Sequence, residues 1–156
     1  MAIEIERKFL VKGSFKKHAV KSYQISQGFL STVPERTVRI RIRNQQAFIT
    51  VKGIGNKTGI SRFEWEKEIK VKEAEKLLLL CESTVIKKNR YIIPTSNNLF
   101  FEVDEFLNEN KGLIVAEIEL PEENTNFEKP DWLGKEVTGK VKYYNAMLSK
   151  KPFSKW

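Results

Sequence analysis

Carboxylates and cations stand at every second position of several short segments, and these residues have the clearest chemical potential. Glu4, Glu6 and Lys8 alternate near the N-terminus, and Arg39 and Arg41 alternate in Val38-Arg-Ile-Arg41. Carboxylate oxygens suit divalent cations such as Mg²⁺, Mn²⁺ or Ca²⁺, whereas arginine forks and lysine ammonium groups bind phosphate oxygens. If these side chains face one cavity, they fit a phosphate chain together with a divalent metal.

The composition narrows the kinds of site that the chain can carry. It has 156 residues with a formal charge of +8, one histidine (His18) and one cysteine (Cys81). One cysteine cannot form an intramolecular disulfide or a thiolate zinc site, and one histidine rules out multi-histidine metal chemistry. Any metal must therefore be held by carboxylates. The positive charge indicates an anionic partner without saying which one.

The elements that must position these residues are mostly strands. Apolar and charged residues alternate in 3–9, 38–43, 62–66, 101–104 and 116–120, and 46–52 has two apolar-rich faces. Alternation is poor near Lys88 and Arg90. Strong helix formers fill 72–82, and Val141, Tyr144 and Leu148 are spaced as on one helix face. The pattern predicts one α+β domain over 1–156, with roughly eight antiparallel strands and a few helices.

Strand after strand presents a charged face, and together these faces carry both glutamates and arginines. This pattern has two interpretations. The charged face lies outward in solvent, as in many antiparallel sheets. Alternatively, the sheet closes into a barrel whose lumen is polar and whose apolar outer face is covered by helices and loops. The run Arg39, Arg41 and Arg43 favours the second interpretation, because three neighbouring cations repel one another without an anion nearby.

A set of motifs resembles the CYTH superfamily, the triphosphate tunnel metalloenzymes. Glu4-Ile-Glu-Arg-Lys8 matches the E-x-E-x-K strand of that family. Its companions follow in order along nearly the whole chain. They are Val38-Arg-Ile-Arg41, Phe48-Ile-Thr-Val-Lys52, Ser61-Arg-Phe-Glu-Trp-Glu66, Lys88-Asn-Arg-Tyr91, Phe101-Glu-Val-Asp104, Ala116-Glu-Ile-Glu119, Gly134-Lys-Glu-Val-Thr138 and Tyr143-Tyr-Asn145.

The resemblance implies an eight-stranded antiparallel β-barrel, or tunnel, that binds a small-molecule triphosphate with Mg²⁺ or Mn²⁺. The metal-binding carboxylates that it implies are Glu4, Glu6, Asp104, Glu117 and Glu119. Glu102 would add to the acidic side of the tunnel. The phosphate ligands that it implies are Lys8, Arg39, Arg41, Lys52, Arg62, Lys88 and Arg90. For catalysis, Glu6, Glu64 or Glu66 is the expected proton acceptor, and the sequence does not choose among them; Lys52 or Lys88 is expected to offset charge on the leaving group.

One residue departs from the family pattern. Short members often have Gln-Gly-Tyr-Leu, whereas this chain has Gln27-Gly-Phe-Leu30. The tyrosine hydroxyl that is sometimes credited with a catalytic role is therefore absent, which puts any mechanism based on it in doubt.

The function expected from the resemblance is metal-dependent hydrolysis of inorganic triphosphate to phosphate and diphosphate. The compact chain offers no evident extra domain for a base, a thiamine ring or an RNA end. The alternatives are a class IV adenylate cyclase, a thiamine or nucleoside triphosphatase, and a polyphosphate-binding module without turnover. Nucleic acid is disfavoured as a partner, apart from RNA 5′-triphosphate ends, because the cations alternate with core positions.

The N-terminus and a run of leucines bear on where the protein is located and whether it forms an oligomer. The charged N-terminus lacks the apolar core of a signal peptide, and no apolar run is long enough to span a membrane. We therefore expect a cytoplasmic protein that does not associate with a membrane. Leu77 to Leu80 are four consecutive apolar residues in the predicted helix. They cover more than one helix face, which makes a homodimer an open alternative.

Overall fold

The computed structural model describes residues 3–156, which form nine strands, two short α-helices and several 3₁₀ turns. The strands are β1 (Ile3–Val11), β2 (Lys21–Ser31), β3 (Thr37–Arg43), β4 (Gln46–Lys52), β5 (Ser61–Ile69), β6 (Glu82–Pro94), β7 (Phe100–Phe106), β8 (Ile114–Glu119) and β9 (Leu133–Glu136). The α-helices are α1 (Val71–Leu78) and α2 (Asn145–Lys150). Neither helix of this described part is long and apolar enough to cross a membrane.

Eight antiparallel strands close into a barrel. The order around the wall is β5-β4-β3-β2-β6-β7-β8-β1, and β1 returns to β5 through the pair Glu4 and Arg62. The second half of β1 pairs with the short strand β9 instead, with Phe9 opposite Glu136. The predicted α+β fold with an eight-stranded antiparallel barrel is therefore confirmed, with β9 added beside it.

The alternation of side chains sends charge inward and apolar groups outward. On β3, Ile40 is fully buried outside the barrel against α1, whereas Arg39 and Arg41 face the lumen. This follows from the period of two along a strand, which places neighbours on opposite faces. Of the two interpretations of the charged faces, the polar lumen is confirmed.

Helices and loops cover the apolar outer face. Ala74 of α1 packs on Ile40 and Ala47, and partly buried leucines of the same helix add to this cluster. On the other side of the barrel, Phe101 and Trp132 make an edge-to-face contact with ring centroids 5.1 Å apart. These contacts remove apolar surface from water and so stabilise a barrel whose interior is not hydrophobic.

The lumen is apolar at one end. Phe29 lies opposite Arg39 on β3, and Phe106 lies opposite Lys88 on β6, so both rings share the inner face with charged residues. They form a cluster with Leu148, which is fully buried on α2. The C-terminal segment therefore closes the apolar end, and the charges line the remainder.

The structure corrects several element predictions. The predicted helix over 72–82 is α1 and ends at Leu78, and Leu79 and Leu80 are 85% and 72% exposed. The single helix face predicted from Val141 to Leu148 is wrong, because 141–143 form a 3₁₀ turn and α2 begins only at Asn145. The poorly alternating segment near Lys88 forms β6, a strand of 13 residues. There, pairing with β2 and β7 outweighs the weak local pattern.

Candidate active site

A cavity of about 670 Å³ occupies the charged part of the lumen. Its size lies within the range of small-molecule sites. All of the predicted site residues line it except Asp104. The charged residues of the lining are Glu4, Glu6, Lys8, Arg39, Arg41, Arg43, Lys52, Arg62, Glu64, Glu66, Lys88, Arg90, Glu102, Glu117, Glu119 and Lys150.

At the seam where the barrel closes, Lys52 joins carboxylates of β1 and β5. Its ammonium donates to both oxygens of Glu4 at 2.9 and 3.0 Å and lies 3.4 Å from Glu64. Burial and the neighbouring Glu4 raise the pKa of Glu64 to about 7. Burial also raises the pKa of Glu4, but Lys52, Glu64 and Arg62 together outweigh burial and lower that pKa. The two glutamates therefore differ in proton affinity although they share one cation.

Glu66 organises the arginine wall. It accepts a hydrogen bond from the Thr50 hydroxyl at 2.7 Å, and the guanidinium groups of Arg39 and Arg41 approach the same oxygen at 3.5 Å. Burial and the neighbouring Arg39 lower the pKa of Arg41 to about 9. The Nε atoms of both arginines are buried and have no hydrogen-bond partner within residues 3–156. The two arginine side chains line the cavity, where their guanidinium groups would bind an anion.

Asp104 lies beneath the cavity and holds two cations in its floor. Its Oδ1 accepts from Arg90 at 2.8 Å, and its Oδ2 accepts from Arg90 at 2.9 Å and lies 2.7 Å from the Lys88 ammonium. Burial would raise the pKa of Asp104, but Arg90 and Lys88 together lower it. With 1% of its surface exposed, Asp104 does not reach the cavity with the other predicted metal carboxylates.

The other predicted metal carboxylates form an acidic wall on β1 and β8. Glu6 lies opposite Glu119, and Lys8 lies opposite Glu117. Burial and the neighbouring Glu117 raise the pKa of Glu6 well above its usual value. Burial also raises the pKa of Glu117, but its neighbours together, with Lys8 the largest contributor, outweigh burial and lower that pKa well below its usual value. The opposite pKa shifts of Glu6 and Glu117 are those expected of two acids too close to ionise together.

This wall fits a hard divalent cation by its chemistry. Its donors are all carboxylate oxygens, the ligands of Mg²⁺ and Mn²⁺. Two of its glutamates, Glu6 and Glu119, have raised pKa values because like charges and burial disfavour ionisation, and a bound cation would relieve both effects. Residues 3–156 hold no group of three or more His, Cys, Asp or Glu side chains already gathered closely enough to bind a metal.

An aromatic residue of the C-terminal segment also borders the cavity. The Lys8 ammonium lies 5.1 Å and the Arg62 guanidinium 5.6 Å from the centre of the Tyr144 ring. Lys8 also donates to the carbonyl oxygen of Tyr143 at 3.4 Å. The C-terminal segment therefore helps to hold Lys8 of β1 and Arg62 of β5 in place.

Several residues of the cavity acquire a role only through the tertiary structure. Thr50 lies on the inner face of β4, and its bond to Glu66 requires the β4 and β5 register. Tyr144 and Asn145 were noted only as part of a family motif, and their entry into the lumen depends on how the C-terminal segment folds. Arg43, for which no role was expected, lies between the rings of Tyr23 and Phe48, 4.9 and 5.2 Å from their centres.

Comparison with known proteins agrees with this architecture. The CYTH domain matches residues 2–151. An inorganic triphosphatase of Acetivibrio thermocellus is 48% identical over 154 residues, covering 98% of this chain and 97% of that protein. An inorganic triphosphatase of Nitrosomonas europaea is 35% identical over 150 residues, covering 94% of this chain and 96% of that protein.

A solved structure shares the whole fold. The crystal structure of an inorganic triphosphatase, 30% identical, superposes with a TM-score of 0.67 and covers 93% of this chain and 96% of that one. The match over nearly the full length, together with a barrel that turns its alternating glutamates and arginines inward, shows that this chain belongs to the CYTH family.

Proposed function

We propose that this protein is a metal-dependent triphosphatase that hydrolyses inorganic triphosphate to phosphate and diphosphate. The observation that carries the proposal is a cavity inside a closed barrel that is lined by arginines and lysines together with glutamates. An anionic phosphate chain would satisfy the cations, and a divalent metal would satisfy the acids. The names of the two full-length relatives support the same substrate.

The cations would bind the substrate along its length. Lys8, Arg39, Arg41, Arg62 and Arg90 all line the cavity and would neutralise phosphate oxygens as charge redistributes in the transition state. Because phosphoanhydride hydrolysis needs positioning and charge neutralisation more than covalent chemistry, a dense field of fixed cations is an effective catalyst. Lys52 and Lys88 would face the bridging oxygen that leaves with diphosphate.

Mg²⁺ or Mn²⁺ would be held by Glu4, Glu6, Glu117 and Glu119. When bound, the metal would neutralise phosphate charge and lower the pKa of a water molecule. Asp104 is left out of this ligand set, because it is buried below the cavity and does not line it. Its proposed role is to hold Lys88 and Arg90 in place.

We assign the proton acceptor to Glu64. A general base works best when its pKa lies near the operating pH, and the pKa of Glu64 is about 7. Glu66 is a weaker candidate, because Thr50, Arg39 and Arg41 already occupy the same carboxylate oxygen. Glu6 is reserved for the metal. In the reaction, water attacks the terminal phosphorus, its proton passes to Glu64, and the bond from that phosphorus to the bridging oxygen breaks.

The test compares phosphate release from inorganic triphosphate, ATP and thiamine triphosphate with Mg²⁺, with Mn²⁺ and with chelator. We expect turnover of inorganic triphosphate to exceed that of the other two and to disappear with chelator. Equal or faster turnover of ATP or thiamine triphosphate would overturn the substrate assignment. Cyclic AMP as the main product from ATP would indicate a cyclase, and metal-independent binding without any turnover would indicate a binding module.

Two cavity variants and one control separate catalysis from folding. Glu6→Gln and Arg41→Ala should each reduce turnover by about 100-fold or more while the unfolding temperature stays close to that of the wild type. Arg36→Ala removes a cation from an exposed position outside the cavity and should leave turnover unchanged. Full activity in both cavity variants would contradict the proposed site.

A further inference from the structure

Asn145 reaches into the lumen from the start of α2 and contacts two residues of the barrel wall. Its Oδ1 accepts a hydrogen bond from the Lys88 ammonium at 2.9 Å and another from the Gln27 side-chain amide at 2.6 Å. Asn145 and Lys88 both line the cavity. The contact therefore joins the C-terminal segment to Lys88, a cation on β6.

The geometry leaves Lys88 with one free proton. An ammonium group has three donors and no acceptor. Asp104 takes one donor at 2.7 Å, and Asn145 takes a second at 2.9 Å. The Lys88 side chain is 1% exposed, so solvent does not compete for these bonds. Two fixed bonds set the direction of the third N–H, which is the one left for a phosphate oxygen in the cavity.

The orientation of the Asn145 amide follows from the same chemistry. Lys88 can only donate, so the oxygen of Asn145 and not its nitrogen must face the ammonium. Gln27 must then present its NH₂ group to that oxygen. Gln27 is fully buried, and its own Oε1 has no partner within residues 3–156. Burying an amide with an unsatisfied oxygen is costly, which indicates that its position serves the site and not stability.

Asn145 is held in place independently of Lys88. Leu148, one turn later on α2, is fully buried with Phe29 and Phe106. Before the helix, the carbonyl of Tyr143 accepts from Lys8. The segment is thus anchored on both sides of Asn145, and its side chain can serve as a fixed acceptor for the flexible Lys88 stem.

We propose that Asn145 is a positioning residue for Lys88, so that the C-terminal segment completes the active site by aiming this ammonium at the leaving group. The proposal rests on the proposed triphosphatase function. If Lys88 points in the wrong direction, the site loses mainly stabilisation of the transition state. Binding of the substrate in the ground state changes less, because the other cations still hold it.

The test is a double-mutant cycle on the full chain with inorganic triphosphate and Mg²⁺. Asn145→Ala should lower kcat by about 10- to 100-fold and change KM by less than about threefold. In a Lys88→Ala background the same change should have little further effect, because the group that Asn145 positions is gone. Asn145→Asp keeps the acceptor oxygen and should recover most of the lost kcat. Asn126→Ala, the matched change at an exposed loop position, should leave kcat unchanged.

The outcomes distinguish the inference from the function on which it rests. An active wild type with an equally active Asn145→Ala variant overturns the positioning role alone. Equal losses from Asn145→Ala in the wild-type and Lys88→Ala backgrounds, with a lowered unfolding temperature, also overturn it, since they indicate a structural effect. A wild-type protein without turnover of any triphosphate overturns the proposed function, and the Asn145 role falls with it.

Discussion

Lys52 donates to both carboxylate oxygens of Glu4, at 2.9 and 3.0 Å, across the seam where β1 meets β5. The fold therefore pairs a proposed phosphate ligand with a proposed metal ligand. The two charges of this pair neutralise each other. When substrate and metal bind, Lys52 gains a phosphate partner and Glu4 gains the metal. The pair is therefore preorganised for both ligands, and neither charge has to be buried alone.

The first prediction concerns the metal. Glu4→Gln removes a proposed ligand charge and should raise the Mg²⁺ concentration needed for half-maximal activity by at least about tenfold. The measurement is a Mg²⁺ titration of activity at saturating inorganic triphosphate. Glu35→Gln is the matched change at an exposed position outside the cavity. An unchanged Mg²⁺ requirement in Glu4→Gln would remove Glu4 from the ligand set.

The second prediction concerns Thr50, which donates to Glu66 at 2.7 Å and is 1% exposed. Thr50→Val keeps the shape but removes the hydroxyl that holds the carboxylate against Arg39 and Arg41. A hydrogen bond to a charged group contributes about 1.5 to 3 kcal/mol, so we expect kcat to fall by about tenfold or more. Thr50→Ser keeps a donor and should retain most activity. Equal kcat in Val and Ser variants would show that the bond has no catalytic effect.

The third prediction concerns pH and the attachment of β9. Arg7 makes two hydrogen bonds to Glu136, at 2.8 and 2.7 Å, and the bond to Arg7 lowers the pKa of that carboxyl below 4.5. A lowered pKa contributes stability above the unfolded-state value, and this contribution is lost as the pH falls through the folded-state value.

Glu136→Gln should therefore lower the free energy of unfolding by about 0.5 to 1 kcal/mol near neutral pH, since the pair is partly exposed and screened. The difference from the wild type should disappear well below pH 4.5. Urea unfolding at the two pH values measures it. A difference that is the same at both would show that the charge of Glu136 contributes nothing.

The fourth prediction concerns the rim of the cavity, where Gly59 touches Gly139. Gly59 has φ +76°, and a Cβ placed on it would lie 2.5 Å from the Gly139 Cα. Gly59→Ala should therefore destabilise the protein by about 1 to 3 kcal/mol. Gly53→Ala is the control, because its added Cβ would meet its nearest neighbour at an ordinary 3.5 Å. Equal stability of both variants in urea unfolding would contradict the close approach.

Much of the site was predictable because it depends on strand alternation. Once Glu4, Glu6 and Lys8 share one face of β1, and Arg39 and Arg41 share one face of β3, barrel closure brings both faces together. Local pattern was weaker evidence where pairing partners decide the structure. The segment around Lys88 forms a long strand because β2 and β7 flank it, and α1 ends before Leu79 although the following residues favour a helix.

The sequence by itself determined which charged residues share a strand face, since a period of two is a local property of each strand, and its family motifs implied the barrel that turns those faces inward. Only the tertiary structure decided the depth of each side chain, because strand stagger and the packing of distant segments set that depth. Asp104 thus lies below the cavity with Lys88 and Arg90, although its motif predicted a metal ligand. Asn145 lies inside the lumen because Leu148, three positions later, is buried in a core formed by other strands.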